Sequence, residues 1–232
     1  MRNKQIALSI LIVIASLSGT ESCIATELPK TMSKISVRVI EPKPKEGSFQ
    51  AQPKTYYRAT KQYMRAEEEL DKEMNIKALT VANEPDIWMM ELVSKTGKKL
   101  KDPGPTYNVI LPIYGSPVRE KELAKLEYGM ELDYFTKRKI KASSDKIDGK
   151  QVDKFETTAD GCLVKLWVDP KSKKPLRISA SKDGRTTVFE YVVYEPALKF
   201  DAAKFAPPKD VKFAENPPWL VRDRKTAGGG RK

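Results

Sequence analysis

The sequence predicts a mainly β fold: a curled antiparallel sheet, or half-barrel, with one or two short helices on its concave side. Three observations carry this. Strand-length apolar runs recur every 10–14 residues through the C-terminal half. Asp148-Gly149, Asp160-Gly161 and Asp183-Gly184 punctuate those runs. Asp-Gly is among the strongest hairpin signals, because both residues accept the left-handed φ of a tight turn. Finally, several strands are apolar on both faces, whereas a sheet with one wet face alternates cleanly.

In chain order, Arg2 and Lys4 precede an uncharged apolar run from Ile6 to Leu17 and then small residues. This is the build of a secretory signal peptide, too short to span a bilayer, which takes roughly 20 residues. Residues 1–25 are therefore assigned as a leader, cleaved after about Ala25, with Cys23 at position −3. The alternative is a lipidated Cys23 that begins a membrane-anchored chain. Export places the protein in the periplasm. Residues 26–215 form a single domain.

Lys34 to Ile40 alternates as a strand and Glu41 to Pro53 is a proline-rich loop. The Tyr- and Thr-rich stretch from Lys54 to Glu69 favours strand. Leu79 to Ala82 and Asp86 to Val93 pair through Asn83-Glu84-Pro85-Asp86, and 95–98 reads as a turn. A helix is expected over 116–129, with Ser116 as N-cap, Pro117 at the first position and Gly129 at its close. Further strands are expected at 131–141, 150–158, 162–169, 175–181 and 186–194. Phe200 to Phe205 forms a helical turn and Val211 to Phe213 an edge strand. Residues 216–232, with three consecutive glycines and a basic excess, form a disordered tail.

The whole chain carries a net charge of +12 and no histidine. A basic balance favours anionic partners, and export excludes nucleic acid. Lack of histidine removes the commonest general base, the usual catalytic triads and most zinc or copper sites. No phosphate-binding glycine loop or nucleophile elbow is present. No enzyme activity, metal or cofactor is expected. Glu67-Glu68-Glu69 and Asp71 read as a solvated strand end. With Cys23 removed, Cys162 is a lone thiol, most simply a small buried hydrophobe.

Apolar surface is the functional signal. A helix of 11 residues is about 16 Å long. It cannot shield seven or eight strands spaced about 4.8 Å apart. The shortfall predicts an apolar hollow able to take a guest, with Trp88, Met90, Leu132 and Trp167 as lining residues. The opposing reading is an ordinary packed core.

The order Leu166-Trp167-Val168-Asp169-Pro170, Pro175-Leu176-Arg177-Ile178, the Asp183-Gly184 turn and Phe205-Ala206-Pro207-Pro208 resembles the lipoprotein-sorting (LolA/LolB-like) superfamily. Tyr63-Met64-Arg65-Ala66-Glu67 is similar to its R-x-E strand, and Asn83 to Trp88 to its tryptophan-bearing hairpin. The resemblance spans roughly residues 54–214, and is nearer to uncharacterised sorting-protein members than to the carrier. It implies a half-barrel holding lipid or lipoprotein acyl chains under a helical lid. It also implies that Arg65 contacts the lid. Carriers of this kind begin with an amphipathic helix, and residues 26–53 hold none. The expected protein is a monomer that binds acyl chains. Alternatively, it is a packed half-barrel that docks on anionic membrane or wall through basic surface.

Overall fold

The computed structural model describes residues 27–101 and 126–218. The leader at 1–25, most of the helix expected over 116–129, and the tail beyond residue 218 lie outside the described residues. Twelve strands form one curled, open sheet. They are β1 (Thr31–Glu41), β2 (Lys54–Ala59), β3 (Tyr63–Glu67), β4 (Ala78–Asn83), β5 (Asp86–Glu91) and β6 (Thr96–Lys101), then β7 (Ser143–Ile147), β8 (Lys150–Ala159), β9 (Cys162–Val168), β10 (Pro175–Lys182), β11 (Arg185–Lys199) and β12 (Lys212–Phe213). The helix α1 (Glu131–Lys137) lies between β6 and β7 in sequence.

Two meanders build the sheet. β1 to β6 run outward from the centre, and β7 to β11 run back to it, so β1 pairs β2 on one side and β11 on the other. After β11 the chain crosses to the far edge, where β12 pairs β6 in parallel. The sheet is wider than the seven or eight strands expected. The three Asp-Gly pairs turn as anticipated: Asp148, Asp160 and Asp183 have φ of 51°, 52° and 51°, and the glycine after each is also positive. These two-residue loops match the twist of the strands they join.

Other expectations are corrected. Residues 131–141 do not form a strand, because 131–137 is helical. Its aromatic residues favour strands locally, but Tyr134 and Phe135 are both buried against the sheet, which only the helical period permits here. Acidic Asp133 in the first turn and Lys137 in the last suit the helix dipole. Lys54 to Glu69 is a hairpin rather than one strand, reversing at Thr60 with φ 58°. The turn after β5 falls at 92–95, so Thr96 already begins β6. The acidic run is not fully solvated: Glu68 is buried and paired with Lys54 at 2.9 Å, and buried Asp71 accepts from the amides of Glu73 and Met74.

The two faces of the sheet differ. The inner face, on which α1 packs, carries Ile35 and Val37 of β1, Met64 of β3, Ile87 of β5, Phe155 of β8, Cys162 to Val168 at alternate positions of β9, Ile178 of β10 and Phe189 and Tyr191 of β11. The outer face divides in two. Over β1 to β5 it is apolar and covered by the chain from Phe200 to Val211. Over β7 to β11 it carries charge: Arg38 and Arg177 pair Glu190, Arg177 pairs Asp148, and Lys154 and Lys165 pair Glu156.

Candidate functional site

The site sits on the inner face, beneath the segment 126–137. Leu126, Tyr128, Tyr134 and Phe135 from this segment are buried against the sheet. Tyr128 stacks on Tyr56 of β2 with ring centres 4.9 Å apart and meets Phe189 and Tyr191 of β11 edge-on. Gly129 makes the bend into α1 with φ +85°, and a Cβ there would lie 3.0 Å from Ile35 Cδ1. A side chain at that position would face both backbone strain and a clash with β1.

Polar ties fasten this inner cover. Arg58 of β2 forms an ion pair with Glu127 at 2.5 Å, both largely buried. Glu131, the first residue of α1, is 0% exposed. Its Oε1 accepts from the Gly129 amide at 2.8 Å and from the Tyr191 hydroxyl at 2.6 Å. Its Oε2, and the hydroxyl of Tyr128, are buried with no hydrogen-bond partner among the described residues. Burial pushes the Glu131 carboxyl up to about 7, against the opposing pull of the Tyr191 bond, backbone amides and Arg58. Burial likewise raises Tyr128 and Tyr191 well above the ordinary phenol range, and Tyr194 to about 12. These tyrosines therefore stay protonated and can donate. The arrangement is a carboxyl ringed by tyrosines within the inner apolar core.

The residues expected to line a hollow do not share one surface. Leu132 packs at the margin of the inner core. Trp88 and Met90 lie on the outer face with Leu79, Val81 and Val211, and the Lys99 ammonium sits over the Trp88 ring at 5.4 Å. Trp167 is also outward, donating from Nε1 to Asp145 at 2.9 Å, opposite the buried Leu166 and Val168. The two-faced apolarity of β5 is thus met by two covers, and the indole of Trp167 is accommodated by a polar partner. Arg65 is outward as well. It pairs Glu67 and donates to the Lys204 carbonyl at 3.1 Å, so it ties down the Ala202–Phe205 turn on the outer face. Arg58, seven positions earlier, is the arginine that meets the inner cover.

Sequence reasoning does not reach Glu131 and its tyrosines. Tyr191 lies 60 residues from Glu131 in sequence. The one local sign is a glutamate set between Met130 and Leu132. Tyr194 joins the same face because a bulge in β11 skips a residue: Ser36 pairs Val193 but Val37 pairs Tyr191. Strict alternation would have turned Tyr194 outward. Among the described residues, no group of three His, Cys, Asp or Glu side chains could hold a metal ion.

No family model matches the sequence, and no curated protein matches it. Among solved structures, the chain is similar to an uncharacterized conserved protein from Thermus thermophilus, at 11% identity and TM-score 0.46, over 80% of this chain and 90% of that one. It is similar to lipoprotein LppX of Mycobacterium tuberculosis, at 10% identity and TM-score 0.36, over 74% and 90%. A LolA superfamily protein from Nitrosomonas europaea matches at 11% identity and TM-score 0.31, over 77% and 90%.

Proposed function

We propose that this protein is exported to the cell envelope, with residues 1–25 as its leader, and binds an acyl chain or similar lipid against the inner face of its half-barrel. It acts as a binding protein rather than an enzyme. One observation carries the reading: the inner face is apolar from Ile87 on β5 across to Phe155 on β8, and among the described residues its cover is a short segment bearing one seven-residue helix. A guest enters by displacing that cover.

Magnitudes make the exchange feasible. Burying an acyl chain contributes about 0.8 kcal/mol per methylene, so a twelve-carbon chain contributes roughly 9 kcal/mol. Uncovering Leu126, Tyr128, Tyr134 and Phe135 costs about 1.5–3 kcal/mol each, of the same order in total. Guest and cover therefore compete on near-equal terms, as a reversible binder requires.

The test is uptake of a fluorescent fatty acid by delipidated, refolded full-length protein. Saturable uptake is expected. Leu132→Asp, at the edge of the inner core, should weaken it, whereas Trp88→Asp and Trp167→Asp, on the outer face, should not. No uptake by folded protein overturns the reading.

A second reading is favoured by the complete burial of the cover's own Leu126 and Phe135 against the sheet. Here the half-barrel stays packed, and the basic surface, including the tail from residue 216, docks on anionic membrane or wall. Salt-sensitive sedimentation with anionic vesicles that is lost on removing residues 216–232, without fatty-acid uptake, would select it.

A further inference from the structure

Glu131 joins the inner cover to the sheet through a single carboxyl group. Its Oε1 takes one hydrogen bond from the cover, at the Gly129 amide, and one from β11, at the Tyr191 hydroxyl. Its Oε2 takes none among the described residues, and the Tyr128 hydroxyl beside this cluster is equally unpartnered. A buried carboxylate needs several donors to offset its lost hydration. This one takes two from other residues, both on the same oxygen, with its own backbone amide adding to them.

We propose that Glu131 is a proton-operated latch: in its neutral form it holds the 126–137 cover against the sheet, and in its ionised form it favours release of the cover and exposure of the inner face. The proposal deepens the lipid-binding reading, on which its significance for ligand exchange rests.

The groups facing the latch fit that role. From β2 come Arg58, already engaged by Glu127, and Tyr56, stacked on Tyr128. From β11 come Tyr191 and Tyr194. From the cover come Tyr128, Glu127 and, toward Tyr194, Asp133. The sole cation of this set among the described residues is Arg58. With Glu127 at 2.5 Å, its charge is largely spent before it reaches Glu131. The tyrosines offer hydroxyls without charge. Burial outweighs the pull of these groups toward the charged form and favours the neutral carboxyl, displaced upward to about 7 from an ordinary 4.5.

The sign follows from proton linkage. Closed, the carboxyl holds its proton up to about pH 7; open and hydrated, it loses the proton near 4.5. Raising the pH through that window therefore weakens closure, and above it both states are ionised and the effect levels off.

The experiment is hydrogen exchange by mass spectrometry on the full chain at pH 5, 6, 7 and 8, corrected for intrinsic exchange rates. Peptides spanning 126–137 are read against peptides from β9 and β10. In the wild type, the opening constant of the cover should rise on the order of 10- to 100-fold between pH 5 and 8, mostly below pH 7, while β9 and β10 stay constant. Glu131→Gln should abolish the rise. Tyr191→Phe removes a bond that favours the carboxylate, so it should shift the upper end of the rise to higher pH. Equal cover protection at pH 5 and 8 in the wild type, or an unaltered rise in Glu131→Gln, overturns the latch. Should Glu131→Gln fail to fold, an unshifted rise in Tyr191→Phe overturns it instead. Fatty-acid uptake measured alongside separates the two ideas. pH-dependent opening with no uptake at any pH removes the lipid reading and leaves the latch. Uptake with pH-independent protection removes the latch alone.

Discussion

Two buried glutamates in this molecule are held in opposite ways. Glu91, at the end of β5, accepts from the amides of Lys77 at 3.0 Å, Val93 at 2.9 Å and Ser94 at 2.6 Å. Burial works to raise its pKa, but these donors outweigh it and hold the carboxyl below its ordinary value. Glu131 is more deeply buried, has the Gly129 amide, its own amide and one hydroxyl, and is pushed up to about 7. The first glutamate is a charged staple that closes the β5–β6 turn. The second is a group whose charge and burial conflict. Depth of burial set against the donors aimed at it decides what a carboxyl does.

The largest expected effect tests the staple. Glu91→Ala strands three amides around an empty space and should cost about 3 kcal/mol of stability in urea unfolding at pH 7. Because the Glu91 pKa is depressed, its contribution is present above its ordinary value of 4.5 and fades as the pH falls through its folded value. The penalty should therefore shrink in acid. A cost unchanged at about pH 3 would break the comparison.

Arg58→Ala comes next, at about 2 kcal/mol, because it leaves the Glu127 carboxylate buried and unpaired. It should also raise the Glu131 titration further, since Arg58 favours the charged form. Two-dimensional NMR of labelled glutamate side chains would follow that shift, and a downward shift would contradict the placement of Arg58.

Glu131→Gln should behave in the opposite sense to Glu91→Ala. At pH 8 the wild type bears a buried carboxylate and the variant does not, so the variant should be the more stable by about 1–2 kcal/mol. At pH 5 that advantage should vanish. Unfolding curves at the two pH values measure this, and destabilisation at pH 8 would show that Glu131 is a staple like Glu91.

Trp167→Phe should be the mildest change. It loses the bond to Asp145 on the outer face and should cost at most about 1 kcal/mol, with fatty-acid uptake unaffected. Impaired uptake would mean that the inner and outer faces have been assigned to the wrong roles.

Much of the fold is legible locally. Asp-Gly pairs mark the C-terminal hairpins because few residue pairs tolerate two successive positive φ values. β8 to β10 fall within a residue or two of their expected bounds. β7 escapes such a reading, since Ser-Ser-Asp-Lys-Ile has no apolar face and becomes a strand by pairing with β8 at the sheet edge. The hairpin at Thr60 is hidden because it reverses without glycine, proline or asparagine. The candidate site is far less legible. Trp88, Met90 and Trp167 stand out for size and greasiness, and all three face outward. Arg65 stands out by resemblance and holds the Ala202–Phe205 turn outside, while Arg58 does the corresponding work inside.

The 200–213 segment bears on where these side chains lie. The surplus of apolar surface on β4 and β5 packs from outside against Val211, as that on β1 to β3 packs against Phe205. Gly97 shows how closely this outer strap sits: a Cβ there would lie 2.9 Å from both the Met89 carbonyl and the Phe213 ring.

By itself, then, the sequence determined the antiparallel architecture and its C-terminal turns, because turn chemistry and period-two patterning act over a few residues. The tertiary structure alone decided which face of each strand is inner, where the helix lies, and that Glu131 meets Tyr191. Those outcomes depend on sheet curvature, on a bulge in β11 and on contacts between residues far apart in the chain, and no local pattern encodes the free energy of burying a carboxyl among partners that only folding assembles.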